Sequence, residues 1–470
     1  MIKPVILWTD ALVFLLLFAV VLFAIYARGK PHLRSPWRQI FSGRMASVSA
    51  VILLTYVSIG VLDSLHFRLP LENKDEAQEA HYAVEVLSML DVLLGPMRTQ
   101  VEKTYSAPFA THLFTRETIQ HPDGSQTRDY PRLEYGGAHL QNPAADRAAD
   151  IRERAVVALL QTLLATAIVL GLLGAILSRR HGIPPGKATT DILAARTGAP
   201  WRLILLTISV VLLLAFLTLN LAGVYHVLGT DKVGQDVYYQ TLKSIRTGLV
   251  IGTLTTLVML PFAILLGIMA GYLRGWADDV IQYTYTTLNS IPGVLLIAAA
   301  ILMLQVYIAN NPQSFETTLE RADIRLLFLC IILGITSWTG LCRLLRGEAL
   351  KLREVEYIQA AMSFGVSHAR IITRHILPNV MHIVLITIVL DFSGLVLAEA
   401  VLSYIGIGVD PTMNSWGNMI NRARLEMARE PMVWWSLLSA FIFMFVLVLA
   451  ANLFSDAVRD AFDPHLRNNR

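Results

Sequence analysis

Long apolar runs separated by polar, charged stretches organise this chain. An apolar run of roughly 17–25 residues is long enough to cross a bilayer as a helix. The sequence offers nine such runs, near 11–27, 46–62, 155–177, 203–223, 249–272, 281–308, 324–342, 380–403 and 433–454. The pattern predicts an all-α membrane protein with about nine transmembrane helices. Between the second and third runs lies a polar stretch, 63–153, rich in Asp and Glu and mixed in sign. Within it, 75–94 has helical periodicity, with Val84, Leu87, Leu90 and Leu94 on one side and Gly95-Pro96 as a stop. His121-Pro122-Asp123-Gly124 is a turn signal between two strand-like pieces. Ile291-Pro292-Gly293 predicts a kink or break in the sixth run, which persists in a membrane only where protein or water satisfies the freed carbonyls. The spacing of Gly267, Gly271 and Gly275 allows close helix packing.

Composition supports this picture. Charged residues are 16% of the chain and hydrophobic ones 54%, against about 25% charged in a soluble domain. The net charge of +4 is a mild basic excess. In a membrane protein it reflects cytoplasmic loops, so no nucleic-acid partner is expected. Cys330 and Cys342 lie in or beside one apolar run, which points to neither a disulfide framework nor a metal site. Arg28, Lys30, Arg34, Arg38 and Arg44 follow the first run, and only Lys3 precedes it. This favours an uncleaved anchor with its N-terminus outside over a signal peptide. Arg179, Arg180, Lys187, Arg196 and Arg202 mark a second basic loop. Arg343, Arg346, Lys351, Arg353, Arg370 and Arg374 mark a third, the strongest. These loops are expected in the cytoplasm, with 63–153, 224–247 and 404–430 outside. The chain divides into 1–62 with two helices, an extracytoplasmic domain or loop at 63–153, a third helix and basic loop at 154–200, and a six-helix unit at 201–470 containing the polar loop 343–378.

The stretch 357–378 reads as a helix, a break at Gly365, and a second short helix that closes at Pro378, where the next span starts. Ala360 and Ala361 present almost no side chain, so another surface can approach closely. A polar helix–turn–helix between two apolar segments suits either an ordinary loop or a docking handle.

Gln359-Ala360-Ala361, then Gly365, then His375-Ile376-Leu377-Pro378 resembles the "EAA" loop of ATP-binding cassette importer permeases. Gln359 stands where that family usually has Glu, and His375 where it has Ile. Leu228-Gly229-Thr230-Asp231, Gly234 and Asp236-Val237 are similar to the first outer loop of the C-type permeases of dipeptide and oligopeptide importers. Gly271-Tyr272, Trp276, Asp278, Ser290 through Gly293, Arg343, Arg346-Gly347 and Glu356-Tyr357 also match. So do Glu399, Leu402 through Tyr404, Gly406, Gly408, Ser415 through Gly417, Asn452-Leu453, Arg459-Asp460 and Asp463-Pro464. The resemblance covers 201–470. It implies a type I importer permease core in the bacterial inner membrane, pairing with a second homologous permease, two cytoplasmic ATPase subunits and an extracytoplasmic solute-binding protein. It also implies ATPase coupling through Tyr357, Gln359, Ala360, Ala361, Gly365, Arg370, Arg374, Leu377 and Pro378, and an outer-face motif of Gly229, Thr230, Asp231, Gly234 and Asp236.

The chain has no Gly-rich phosphate loop, so ATP is expected on the partners and no cofactor on this chain. Asp391 and Glu399 lie in an apolar span, where ionisable groups are functional candidates by default. Glu399, near the boundary and in a family block, reads as a buried structural hydrogen bond or a water-facing end of the span; Asp391 stays open between these and proton coupling. Asp231 and Asp236 read either as binding-protein contacts or as helix caps. His226, His368, His375 and His382 lack ligand-like clustering. A membrane sensor would need a cytoplasmic output domain, and an intramembrane enzyme would need paired catalytic groups. The sequence shows neither.

Overall fold

The computed structural model describes residues 3–70, 82–120, 126–311 and 317–462. In chain order the elements are β1 (Lys3–Val5), α1 (Trp8–Arg28), α2 (Pro31–Ser42), α3 (Arg44–Ser64), β2 (His66–Arg68), β3 (Leu87–Ser88), α4 (Met89–Leu93), α5 (Gly95–Thr99), β4 (Glu117–Gln120) and β5 (Gln126–Asp129). Then follow α6 (Pro143–His181), α7 (Pro185–Leu193), α8 (Trp201–Leu221), α9 (Val237–Leu273), α10 (Trp276–Ser290), α11 (Gly293–Asn310) and α12 (Thr318–Arg353). The last are α13 (Glu356–Ser363), α14 (His368–Ile371), a π-helical turn (Ile372–Ile376), α15 (Leu377–Tyr404), α16 (Trp416–Glu426) and α17 (Trp435–Phe462). Among the described residues nine helical stretches are long and apolar enough to cross a membrane, one per expected run. The Pro292 break is realised: α10 ends at Ser290 and a separate α11 begins at Gly293.

Two compact units are present. The first comprises residues 1–5, 38–247 and 414–450. In it α6 packs along α8, with polar side chains bridging the apolar faces. Asn220 donates to Gln161 at 2.7 Å, and Thr166 donates to Ser209 at 3.1 Å. β1, β2 and β3 form a small antiparallel sheet, with Val5 opposite His66 and His66 opposite Ser88.

Three details of 63–153 differ from the sequence expectation. The helix over 75–94 does not form across the described residues 82–94; residues 71–81 lie outside the description. Instead Ser88 and Asp91 build a capping box that starts the short α4, and Pro96 enters the first turn of α5 rather than ending a helix. Leu87, Leu90 and Leu94 are buried, while Val84 is exposed. β4 and β5 do pair, Glu117 to Asp129 through Gln120 to Gln126. The expected turn 121–124 between them lies outside the described residues. Finally, residues from Pro143 onward already belong to α6.

The second unit comprises 6–37, 248–413 and 451–470. Glycines set its closest approach. A Cβ on Gly267 would sit 2.8 Å from the Cys342 carbonyl, and one on Gly271 would sit 2.4 Å from that of Arg346, so α9 and α12 touch backbone to backbone. Gly275 plays another part, turning the chain at φ 60° ahead of α10. A capping box of Thr317 and Glu320 starts α12. Buried Met259, Trp338, Leu341, Leu345, Ile358 and Ile376 form part of the apolar core at the 356–378 end.

Candidate coupling loop and the Gly229–Asp236 motif

Residues 355–378 belong wholly to the second unit. The basic run expected in this loop is partly helical: Arg343, Arg346, Lys351 and Arg353 lie on α12, which continues to Arg353. Val355 turns the chain and α13 begins at Glu356. Its ending is a Schellman motif. The Val366 amide donates to the Ala361 carbonyl at 3.1 Å, the Gly365 amide donates to Met362 at 3.0 Å, and Gly365 takes φ +75°. Ala361 and Val366, partly buried, both pack on the apolar core.

The loop has two faces. Ile358, Ile371 and Ile376 are fully buried. Tyr357, Gln359, Ala360, Phe364, Gly365, Arg370 and Arg374 are exposed, and Phe364 shows 85% of its surface. The Gln359 amide donates to the Glu354 carboxylate at 3.3 Å, and Arg274 also pairs with Glu354. The Tyr272 hydroxyl meets His368 Nδ1 at 2.9 Å, and Asn379 donates to the Tyr357 hydroxyl at 3.1 Å. Arg346 holds Asp278 through two bonds of 2.6 and 2.8 Å, fixing α10 to α12.

Pro378 does not close the second helix as a stop. It sits in the first turn of α15, and α14 runs through the π turn into it, so 368–404 is one helical stretch. A proline lacks the N–H for a regular helical bond, and a π turn is one way a helix absorbs that loss. Leu377, partly buried, packs on the core just before it.

The Gly229–Asp236 motif lies in the first unit. Gly229, Thr230, Gly234 and Asp236 are buried and Asp231 partly so. Residues 102–106 pack against Gly229, Thr230 and Gly234. The Thr230 amide donates to the Ser106 carbonyl, and the Glu102 amide to the Gly234 carbonyl, both at 3.0 Å. The Trp435 indole donates to the Thr230 carbonyl at 2.9 Å. Gly229 and Gly234 take φ +70° and +77°, and a Cβ on Gly234 would fall 1.7 Å from the Glu102 carbonyl oxygen. Only glycine fits there. Both carboxylates are held by neighbouring backbone amides. The Asp231 carboxylate accepts from the Val233 and Gln235 amides, and Asp236 caps α9 by accepting from the Tyr239 amide at 3.0 Å.

The sequence did not reveal what holds this region. His226 is buried between two carboxylates: Nδ1 lies 2.9 Å from Asp236 and Nε2 lies 3.4 Å from Glu102. Glu102 also accepts from the backbone amides of Glu134, Tyr135 and Gly136. Burial disfavours charge on the imidazole, but the hydrogen bonds to Asp236 and Glu102 outweigh it and raise its pKa to about 9. Burial likewise opposes charge on Glu102, and the bonds from His226 and the three amides bring it down to about 2. Lys243, the second missed residue, places its ammonium 2.6 Å from Asp63 and 2.9 Å from Asp91. Asp236, ten residues from His226, was visible in sequence; Glu102, Asp63 and Asp91 lie far along the chain.

Comparison with known proteins places this architecture. Residues 263–468 match the family model described as "Binding-protein-dependent transport system inner membrane component". The glutathione transport system permease protein of Pectobacterium atrosepticum is 32% identical over 243 residues, covering 52% of this chain and 74% of that one. The chain belongs to this family of inner-membrane permeases. The oligopeptide transport system permease protein of Mycobacterium tuberculosis is 33% identical over 248 residues, 53% of this chain and 79% of the relative. The dipeptide transport system permease protein of Bacillus subtilis is 27% identical over 242 residues, 52% and 72%. This permease is a multi-pass protein of the bacterial inner membrane and the transport component of an ATP-binding cassette importer.

Proposed function

We propose that this permease imports peptides or similar small solutes, and that 357–378 is the handle through which ATPase subunits move it. The two-faced loop carries the reading. Its isoleucines are anchored in the apolar core of the second unit, while Gln359, Ala360, Arg370 and Arg374 are left exposed for a partner. A push on the exposed face reaches α12 and α15 through Ile358, Ile371 and Ile376. Nucleotide shifts such a conformational equilibrium only by binding one state more tightly than the other. The ATP sites belong to two cytoplasmic ATPase subunits; this chain has no Gly-rich phosphate loop and uses no cofactor of its own.

A second homologous permease completes the path, and an extracytoplasmic binding protein delivers the solute. Because residues 102–106 pack against Gly229, Thr230 and Gly234, the motif offers a delivering protein Lys232, Val233, Gln235 and the accessible part of Asp231. Peptide as solute follows the names of the relatives, two of which are peptide permeases. Gentle co-purification of the tagged chain from its native membrane tests the assembly. Recovery of a second permease and two ATPase copies supports it. Recovery of the chain alone, or with a kinase, argues against this assembly.

A further inference from the structure

Asp391 sits near the middle of α15, thirteen residues before its end, in a stretch of high hydropathy. At about 1.5 Å per residue this is roughly 20 Å from that end. Val384 and Leu395, seven residues before and four after, are buried, whereas Leu390 and Leu397 are exposed. Val384 and Leu395 share the helix face of Asp391, so Asp391 projects from the packed side of α15, away from exposed Leu390 and Leu397, and is itself partly accessible. Its neighbours are engaged: Ser393 donates to Asn452 at 2.7 Å, and Phe392 fills the space beside Gly252. Among the described residues nothing hydrogen-bonds or ion-pairs with the Asp391 side chain. The other acid of this helix is different, since buried Glu399 accepts from Ser403 at 2.7 Å.

A carboxylate at this depth against lipid would be expensive, and such groups face water or a cation instead. We infer that Asp391 lines the water-filled solute path and offers a negative charge to an ammonium group on the passing solute. The inference rests on the importer reading and adds a solute class to it: molecules with a free amine.

The test uses the complete importer in membrane vesicles. Cys330 and Cys342, both buried and free, are replaced by Ala so that Asp391→Cys is the only thiol of this chain. A membrane-impermeant cationic thiosulfonate should label this cysteine at least tenfold faster than a Leu390→Cys control. Equal labelling, or labelling only by a lipid-soluble maleimide, overturns the inference. This readout needs no known solute and decides the site even if peptides are not carried. The charge is read separately, with trialanine and N-acetyl-trialanine. Asp391→Asn should lower uptake of the free amine about tenfold and leave the acetylated peptide unchanged. An equal effect on both overturns the ammonium assignment. Uptake of neither by the unmodified importer would count against the peptide reading and leave the labelling result standing.

Discussion

His226 and Asp236 meet at 2.9 Å, ring nitrogen to carboxylate, and Glu102 closes on the other ring nitrogen from a different segment of the chain. The buried imidazolium thus ties the 224–236 stretch to segment 102–137. Its consequence is a pH window. His226 titrates at about 9 in the folded protein against 6.5 ordinarily. The stability it contributes is complete below 6.5 and is lost as pH rises through 9. Glu102 titrates at about 2 against 4.5, so its contribution is present above 4.5 and fades as pH falls towards 2. Thermal stability of the purified protein should be highest between about 4.5 and 6.5. His226→Gln should flatten the alkaline limb selectively. An unchanged alkaline limb in that variant would contradict the assignment.

The handle makes a separate prediction. Gly365 has open space around it, so a side chain meets only the strain of φ +75°. Gly365→Ala should cost about 1–2 kcal/mol and leave transport coupled. Gly365→Pro cannot adopt that φ and loses the amide that donates to Met362. In the reconstituted importer it should hydrolyse ATP with little solute moved. A normal ratio of solute to ATP in the proline variant would argue against 357–378 as the handle.

Sequence and structure agree where the signal is local. Eight apolar runs each lie in one helix because length and hydropathy decide that, and the run at 281–308 divides at Pro292 into α10 and α11. Gly365 and Gly271 were legible because glycine marks positive φ or close approach. Pro378 misled because a proline stop assumes no alternative bonding, and the π turn supplies one. The 75–94 periodicity misled because the Ser88–Asp91 capping box restarts the chain locally. Glu102, Lys243, Asp63 and Asp91 were invisible for a different reason. Their roles come from partners up to 180 residues away, which no spacing rule encodes.

Lys243 gives a third prediction. Its ammonium is nearly buried between Asp63, at the end of α3, and Asp91 of α4, and Ser88 and Tyr239 bond the same carboxylates. Removing one partner of a buried ion pair leaves an uncompensated charge, at a cost of roughly 3–5 kcal/mol. Lys243→Met should therefore lower the unfolding temperature clearly. Lys243→Met with Asp63→Asn should recover part of the loss, because the orphaned charge is gone. Equal damage in the single and double variants would show that packing, not charge, matters here.

The sharpest test of segment 102–137 is Gly234. A Cβ there would lie 1.7 Å from the Glu102 carbonyl oxygen, and the backbone sits at φ +77°, so alanine is both strained and obstructed. The obstacle is backbone, which cannot rotate away as a flexible side chain can. Gly234→Ala should push Glu102 aside and break its amide bond to the Gly234 carbonyl. Glu102 would then lose its grip on His226 and on the amides of 134–136. The variant should expose 102–137 to limited proteolysis while the nine spanning helices stay intact by circular dichroism. Gly95→Ala is the control, since nothing lies within 4 Å of its Cβ position. Matching protease resistance in the two variants would mean that segment 102–137 does not depend on the Gly234 contact.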